Sequence, residues 1–472
     1  MLLPLMIPAS WTADFDRSQV PAALETPAFE LPAPQRATLS NGVEVVLVEN
    51  DELPLFEMRM VFKAGGWTNG AGEGGLTGAT MDMLNEGAGG MDALTISAET
   101  RKLGSSVWSS GGLDTAVVGC SGLTRNLEPT LDLWSTVLLQ PEFPDSEWER
   151  LKVQYAQNLD ESASNPRSIA WKVTDRGLYG EEYSGNDLTH ETLESFTTEG
   201  MKAWYDEHIV PGNAIVLVGG DVTLEEVVPL LEARLAGWTA EGEHSPPARA
   251  PSDITETLIY VVDKPGASQS VITVSVPVMG RDDAAWFPLY LGNRAWGGSF
   301  MARLNMNLRE EKGWTYGARS WTTSNDSPGV WHASSSVVAD ATGPAVNEIL
   351  VMLGDVAGEQ PLTEDELEYA RSGILNSFAG RYETVDYLLN QERDIWRYGL
   401  PEDWTTQFPA QVEAVTPEDA QQAFQSHVAE ANAMIVVVGD MATQREALEA
   451  LGPKVIELDV NGYTLPEVEE SN

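Results

Sequence analysis

A single cysteine, Cys120, and five histidines are all that this 472-residue chain offers of the side chains that most often hold zinc. One cysteine can form neither an intramolecular disulfide nor a cysteine-based metal cluster, and its apolar, strand-like surroundings mark it as a packed thiol. His190, His208, His244, His332 and His427 are scattered, and none has a second histidine at helical ligand spacing. Basic residues are scarce too: 28 Lys and Arg stand against 72 Asp and Glu, for a formal net charge of −44. Nucleic acids and anionic lipids draw proteins through phosphate neutralisation, so both are excluded as partners. The acidic surplus runs through both halves, which reads as a chain-wide surface property suited to salty surroundings. No stretch approaches the ~20 apolar residues needed to span a bilayer.

What is present is a repeat. A shift of 219 positions lays Asn213–Asp221 (NAIVLVGGD) on Asn432–Asp440 (NAMIVVVGD), and Glu147-Trp148-Glu149 on Glu366-Leu367-Glu368. The apolar runs closed by Gly and Asp read as buried strands, and the Glu-rich segments open long helices. The length calls for more than one core. The fold expected is α+β: two homologous α/β-sandwich domains, each a mostly antiparallel sheet with helices on one face. The boundaries are an N-terminal extension over 1–36, a first domain over 37–240, a linker over 241–255 and a second domain over 256–472. Pro246, Pro247 and Pro251 give the linker a composition that resists helix and strand.

The first domain opens with a strand pair, Val43–Glu49 and Phe56–Lys63. In the latter, Phe56, Met58, Met60 and Phe62 alternate with Glu57, Arg59 and Lys63, so one face is buried and the other more polar. The second domain starts its sheet with Ser270–Val276, followed by a helical stretch that breaks at Gly297-Gly298. Trp108, Trp148, Trp171, Trp204, Trp296 and Trp314 read as core or interface anchors. Met1 to Ser10 form a short apolar run before Trp11, similar to a signal-peptide core without its basic leader. The expected compartment is therefore the periplasm, with the cytoplasm as the alternative.

Residues 75–84 (GLTGATMDML) resemble the helix that carries the inverted zinc motif H-x-x-E-H in the insulinase and pitrilysin superfamily. Residues i and i+4 share a helix face, so two imidazoles there converge on one metal while the residue at i+3 reaches its water. The family's histidines fall on Gly78 and Asp82 and its general-base glutamate on Met81. Alignment on Asn165-Pro166 puts the third ligand near Gln157 or Asn158, neither a carboxylate. Lys102–Gly122 resembles the strand pair beside the family's peptide groove, with Trp108-Ser109-Ser110-Gly111-Gly112 replacing its Asn-rich segment.

The second half keeps its signature. Asp263–Ser270 and Trp296–Gly317 resemble the family's second-domain motifs, within a likeness covering about residues 37 to 450. In such proteins an Arg near a helix end and a Tyr seven residues on meet substrate across the cleft from zinc; here they are Arg309 and Tyr316. Leu304–Lys312 reads as a helix, Gly313 as its left-handed cap and Thr315 as the start of a strand. A guanidinium and a phenol can hold substrate carbonyls and stabilise an oxyanion. Gly297, Gly298, Ser299 and Phe300 match a glycine-rich substrate loop, for which a plain turn is an equal reading.

The resemblance implies a bacterial heterodimer subunit, with no cofactor and no metal of its own, acting in trans on peptides through Arg309 and Tyr316. Zinc is then expected in a homologous H-x-x-E-H partner. The alternatives are a structural homologue with no peptidase role, and a metalloenzyme built on Asp82 with unforeseen ligands.

Overall fold

The computed structural model describes residues 33–239, 242, 249–323 and 328–465. The apolar start at Met1 to Ser10, His244, and Pro246 and Pro247 of the expected linker lie outside the described residues.

Runs rich in β-branched side chains form strands because those side chains pack well on a pleated surface. The first half contributes β1 (Gln35–Thr38), β2 (Glu44–Glu49), β3 (Leu55–Phe62), the short pair β4 (Gly87–Ala88) and β5 (Met91–Asp92), β6 (Ser106–Gly111), β7 (Ala116–Leu123) and β8 (Ala214–Gly220). Its helices are α1 (Leu76–Met83), α2 (Ala93–Leu103), α3 (Leu127–Leu139), α4 (Asp145–Ser164), α5 (Pro166–Tyr179), α6 (His190–Ser195), α7 (Thr198–His208) and α8 (Leu224–Leu235). The second half adds β9 (Leu258–Asp263), β10 (Gln269–Pro277), β11 (Thr315–Thr322), β12 (Val330–Val338), β13 (Met434–Gly439) and β14 (Lys454–Glu457). With them come α9 (Trp286–Trp296), α10 (Arg303–Asn305), α11 (Thr342–Ala357), α12 (Glu364–Asn376), α13 (Phe378–Arg381), α14 (Val385–Tyr398), α15 (Trp404–Ala414), α16 (Pro417–Phe424) and α17 (Met441–Glu449).

Two six-stranded sheets result, ordered β1-β2-β8-β3-β7-β6 and β14-β9-β13-β10-β12-β11. They correspond strand for strand except at one edge, where β1 runs antiparallel to β2 but β14 runs parallel to β9. The expected α+β fold, two related and mostly antiparallel sheets with helices, is what the chain adopts, but the expectation of helices on one face only is corrected, because a helix from the opposite half covers the other face of each sheet. The expected strand pair is corrected: β2 and β3 do not pair with each other, because β8 lies between them, parallel to β2 and antiparallel to β3. All seven residues of β8 are buried, and a strand with two apolar faces is stable only in the middle of a covered sheet.

One face of each sheet carries its own helices. Phe56, Met58, Met60 and Phe62 pack with Met81, Trp134, Met201 and Leu231, and Cys120 lies buried among them. Burial pushes the Cys120 thiol pKa up, so the thiol is inert packing, as its apolar run suggested. The second core packs Trp296 edge-on to Trp331 and tilted against Phe424, at 5.4 and 5.6 Å between ring centres.

The other face of each sheet is covered by a helix from the opposite half. From α5, Ile169, Ala170 and Val173 bury against Val271, Met434, Val436 and Val438 of the second sheet. From α14, Leu389 buries against Val46, Val61, Ile215 and Leu217 of the first. The 219-residue shift carries Pro166–Tyr179 onto Val385–Tyr398, so these two helices are repeat equivalents that exchange partners. The more polar face of β3 is thus a docking face: Arg59 donates to Asn390 at 2.9 Å and pairs with Asp386, while the Lys63 ammonium lies 4.7 Å above the Trp396 ring. Each aliphatic side chain buried here contributes ~1.5–3 kcal/mol.

Candidate functional site

The helix that would hold zinc is built as expected but stripped of donors. α1 starts after Gly75 (φ +89°) and buries Leu76, Ala79, Thr80, Met81 and Met83. Met81, at the general-base position, is a fully buried core side chain. Gly78 carries no ligand, and the atom nearest to where its Cβ would stand is the Tyr155 hydroxyl, at 3.8 Å. That hydroxyl donates to the Asp82 carboxylate at 2.6 Å. Lost hydration raises the Asp82 pKa while the Tyr155 bond pulls it down, and burial beside Asp82 pushes the Tyr155 phenol up.

Tyr155 lies on α4, the helix expected to supply a third ligand, on which Gln157 and Asn158 are exposed. It was missed in the sequence because a lone tyrosine on a helix carries no motif. Gly78, Met81, Asp82, Gln157 and Asn158 present one carboxylate, already bonded, so this donor set does not fit zinc. Among the described residues no group of three His, Cys, Asp or Glu side chains is placed to hold a metal ion.

In the second half, the loop after α9 is tightly tied. The Ser320 amide donates to Gly297 O at 2.9 Å, and a Cβ on Gly297 would stand 2.4 Å from Ser320 Oγ, so only glycine lets the loop lie this close to β11. A Cβ on Gly298 would meet Arg294 Cα at 2.9 Å. Asn293 Oδ1 accepts from Ser320 Oγ at 2.6 Å and from Trp331 Nε1 at 2.7 Å, fixing the end of α9 to the sheet. Ser299 is half-buried and Phe300 is exposed.

The segment expected as a regular helix winds instead as α10 followed by a π-helical turn, Met306–Glu311. The Lys312 amide reaches back to Asn307 O at 3.0 Å, and Gly313 (φ +67°) ends the turn. Arg309 stands on this turn, its guanidinium 4.7 Å above the Phe300 ring and 3.3 Å from the Glu310 carboxylate. Tyr316 follows on β11 at a break in register between Thr315 and Ala318, where the extra backbone turns its side chain outward until it is 92% exposed. Thr315 Oγ1 donates to Ser336 O at 2.7 Å and Ser335 Oγ to Gly317 O at 3.1 Å, holding the bulge in place. Asn305 joins loop and strand: its amide donates to Phe300 O at 2.7 Å and its Oδ1 accepts from the Ala318 amide at 3.1 Å. Arg309 is therefore brought to Phe300, while no hydrogen bond among the described residues joins it to Tyr316.

Tyr316 instead borders a recess of about 510 Å³ that also draws on the first half, through Arg167 and Trp171 of α5. Trp171 packs 5.5 Å from Trp321 and edge-on to His332 at 5.1 Å. His332 Nδ1 shares a 2.9 Å hydrogen bond with Ser275 Oγ, and burial pulls its pKa down to about 3, so it is a neutral packing group at ordinary pH. Arg167, Arg319 and Trp321 were not foreseen. The outward alternation of Gly317, Arg319 and Trp321 was the signal for β11; for Arg167 the sequence held none.

Residues 195–374 match the family model described as the peptidase M16 inactive domain. A Helicobacter pylori protein named "Non-peptidase homolog YmxG" is 20% identical over 392 residues, 82% of this chain and 89% of that protein. A Bacillus subtilis protein named "Uncharacterized zinc protease YmxG" is 19% identical, over 76% of this chain and 91% of its own. Among solved structures, a peptidase M16 inactive domain from Pseudomonas fluorescens superposes with a TM-score of 0.79 at 24% identity, covering 86% of this chain and 97% of that one. The periplasmic protease PqqL from Escherichia coli superposes at 0.71 and 16% identity, covering 89% of this chain and 48% of that one.

Proposed function

We infer that this chain, a non-catalytic-type M16 member as the insulinase and pitrilysin resemblance implied, is the substrate-binding subunit of a heteromeric zinc peptidase. A homologous partner supplies H-x-x-E-H and the metal; this chain's own residues hold and polarise the peptide. The observation that carries the reading is the contrast between α1, where Tyr155 and Asp82 close the zinc position on each other, and Tyr316, held almost fully exposed on a bulge that costs sheet pairing. A phenol kept clear of its neighbours has its hydrogen bond free for a substrate carbonyl. Arg309, braced by Phe300 and Glu310, adds positive charge where an oxyanion develops. In the loop, Gly297 and Gly298 let the backbone pack closely, which leaves Ser299 and Phe300 as its contacts to an extended peptide.

The reading places the protein in a bacterial periplasm beside its partner. Among the described residues no helix is long and apolar enough to cross a membrane. Mixing the chain with a zinc-bearing candidate partner should produce peptide turnover that neither shows alone. Arg309→Ala with Tyr316→Phe should lower it by ~10²-fold or more, the usual scale for lost oxyanion donors. Unchanged turnover in that double variant, or an isolated chain that binds no unfolded peptide, would favour the purely structural role.

A further inference from the structure

We propose that the recess beside Tyr316 is a carboxylate-selective subsite, taking an acidic side chain or the free C-terminal carboxylate of a peptide. The inference rests on the peptide-holding reading above and names the class of peptide.

Charge carries the argument. In a chain with 72 acidic and 28 basic residues, a surface hollow is expected to be bordered mainly by carboxylates. The recess at the repeat-equivalent place, beside the start of α14, meets that expectation: Glu52, Glu57, Glu383 and Asp386 line it, with no Lys or Arg. The recess beside Tyr316 reverses it, with Arg167 and Arg319 and no acidic residue in its lining.

Both guanidiniums are exposed, and among the described residues neither forms an ion pair. Arg303, Arg371 and Arg234 are by contrast paired, with Glu366, Glu368 and Asp132, while Arg101 and Arg125 are exposed without an ion pair among the described residues but border no recess with a second arginine. Arg167 also occupies the first turn of α5, the positive end of the helix dipole, where a cation is least welcome. The 219-residue shift puts Asp386 at that position in α14, the sign that helix starts favour.

The remaining wall suits a peptide. Trp171 and Trp321 present flat apolar surface, while Gln269 and Tyr316 offer hydrogen-bonding groups. A guanidinium fork binds a carboxylate through two parallel hydrogen bonds, which gives selectivity over a neutral amide.

The test uses the full-length chain and three coumarin-labelled, unstructured decapeptides: neutral with an amidated C-terminus, acidic with an amidated C-terminus, and neutral with a free C-terminus. Fluorescence anisotropy is read at 0.15 M salt, where charges beyond ~8 Å are screened and the acidic surface contributes little. At least one carboxylate-bearing peptide should bind about 10-fold tighter than the neutral amide, and which one does identifies the source of the carboxylate. Arg167→Gln with Arg319→Gln should abolish that preference. Arg167→Glu with Arg319→Glu should invert it towards a fourth, lysine-containing peptide with an amidated C-terminus, a readout that a misfolded variant cannot produce. Equal binding of all three peptides overturns the carboxylate subsite and leaves the peptide-holding reading standing. Binding of none overturns both.

Discussion

The two exchanged helices start from the same place in the repeat and end in opposite environments. At the start of α14, Asp386 is matched by Arg59 of the sheet beneath, and the charge is spent inside the molecule. At the start of α5, Arg167 faces a hollow shared with Arg319 and finds no carboxylate among the described residues. A paired charge is explained by the fold; an unpaired one, set where the helix dipole opposes it, asks for a partner from outside. The same contrast separates α1, whose Asp82 is answered by Tyr155, from β11, whose Tyr316 is left open.

The contrast can be broken from either side, and the largest effect should come from restoring lost chemistry. Met81→Glu would place a carboxylate at a fully buried position. It should cost about 3–5 kcal/mol of stability, the range for an uncompensated buried charge, as read by urea unfolding. Truncating the exchanged helices comes next: Leu389→Ala in α14 and Ile169→Ala in α5 remove side chains at 0% and 1% exposure. Each should cost about 2–5 kcal/mol, and similar losses would confirm that the two interfaces are equivalent holdfasts.

Smaller is the pH effect of His332, which has no counterpart on β7. The folded imidazole stays neutral down to about pH 3, whereas the unfolded one takes a proton near 6.5. The unfolded state then binds more protons between those values, so stability falls as pH drops through that window. By pH 5 this group should account for about 2 kcal/mol lost, and His332→Gln should flatten that part of the profile relative to wild type. Smallest are the helix starts themselves. Asp386→Asn should cost under about 1 kcal/mol and be salt-sensitive, since Asp386 is largely exposed. Arg167→Asp should instead stabilise by about 0.3–1 kcal/mol through the helix dipole while weakening carboxylate peptides, a gain in stability at the expense of binding.

Much of the architecture was legible because it rests on local pattern. The Asn213–Asp221 and Asn432–Asp440 runs mark equivalent central strands, and the alternation of β3 names its core face. The order of strands was less so: the pairing of β2 with β3 failed because a strand's neighbours depend on which segment can bury both faces, which periodicity does not record. The π-turn at Met306–Glu311 escaped for a related reason, since its residues are ordinary helix formers and their spacing does not record a widened turn. In the candidate site, Arg309, Tyr316 and the glycine loop are visible as motif, while Arg319 and Trp321 carry only the outward alternation of β11 and Tyr155 and Arg167 no spacing signal at all.

The sequence by itself determined that α1 holds no zinc motif, since no folding can make a ligand of Gly78, and that the chain is an acidic repeat with one cysteine. Only the tertiary structure decided that α5 crosses to cover the sheet of the other half. That crossing sets Arg167 and Trp171 beside Tyr316, far along the chain. An apolar helix face specifies that it will be buried but not against which sheet; long-range packing makes the choice, and with it the shape and charge of the recess.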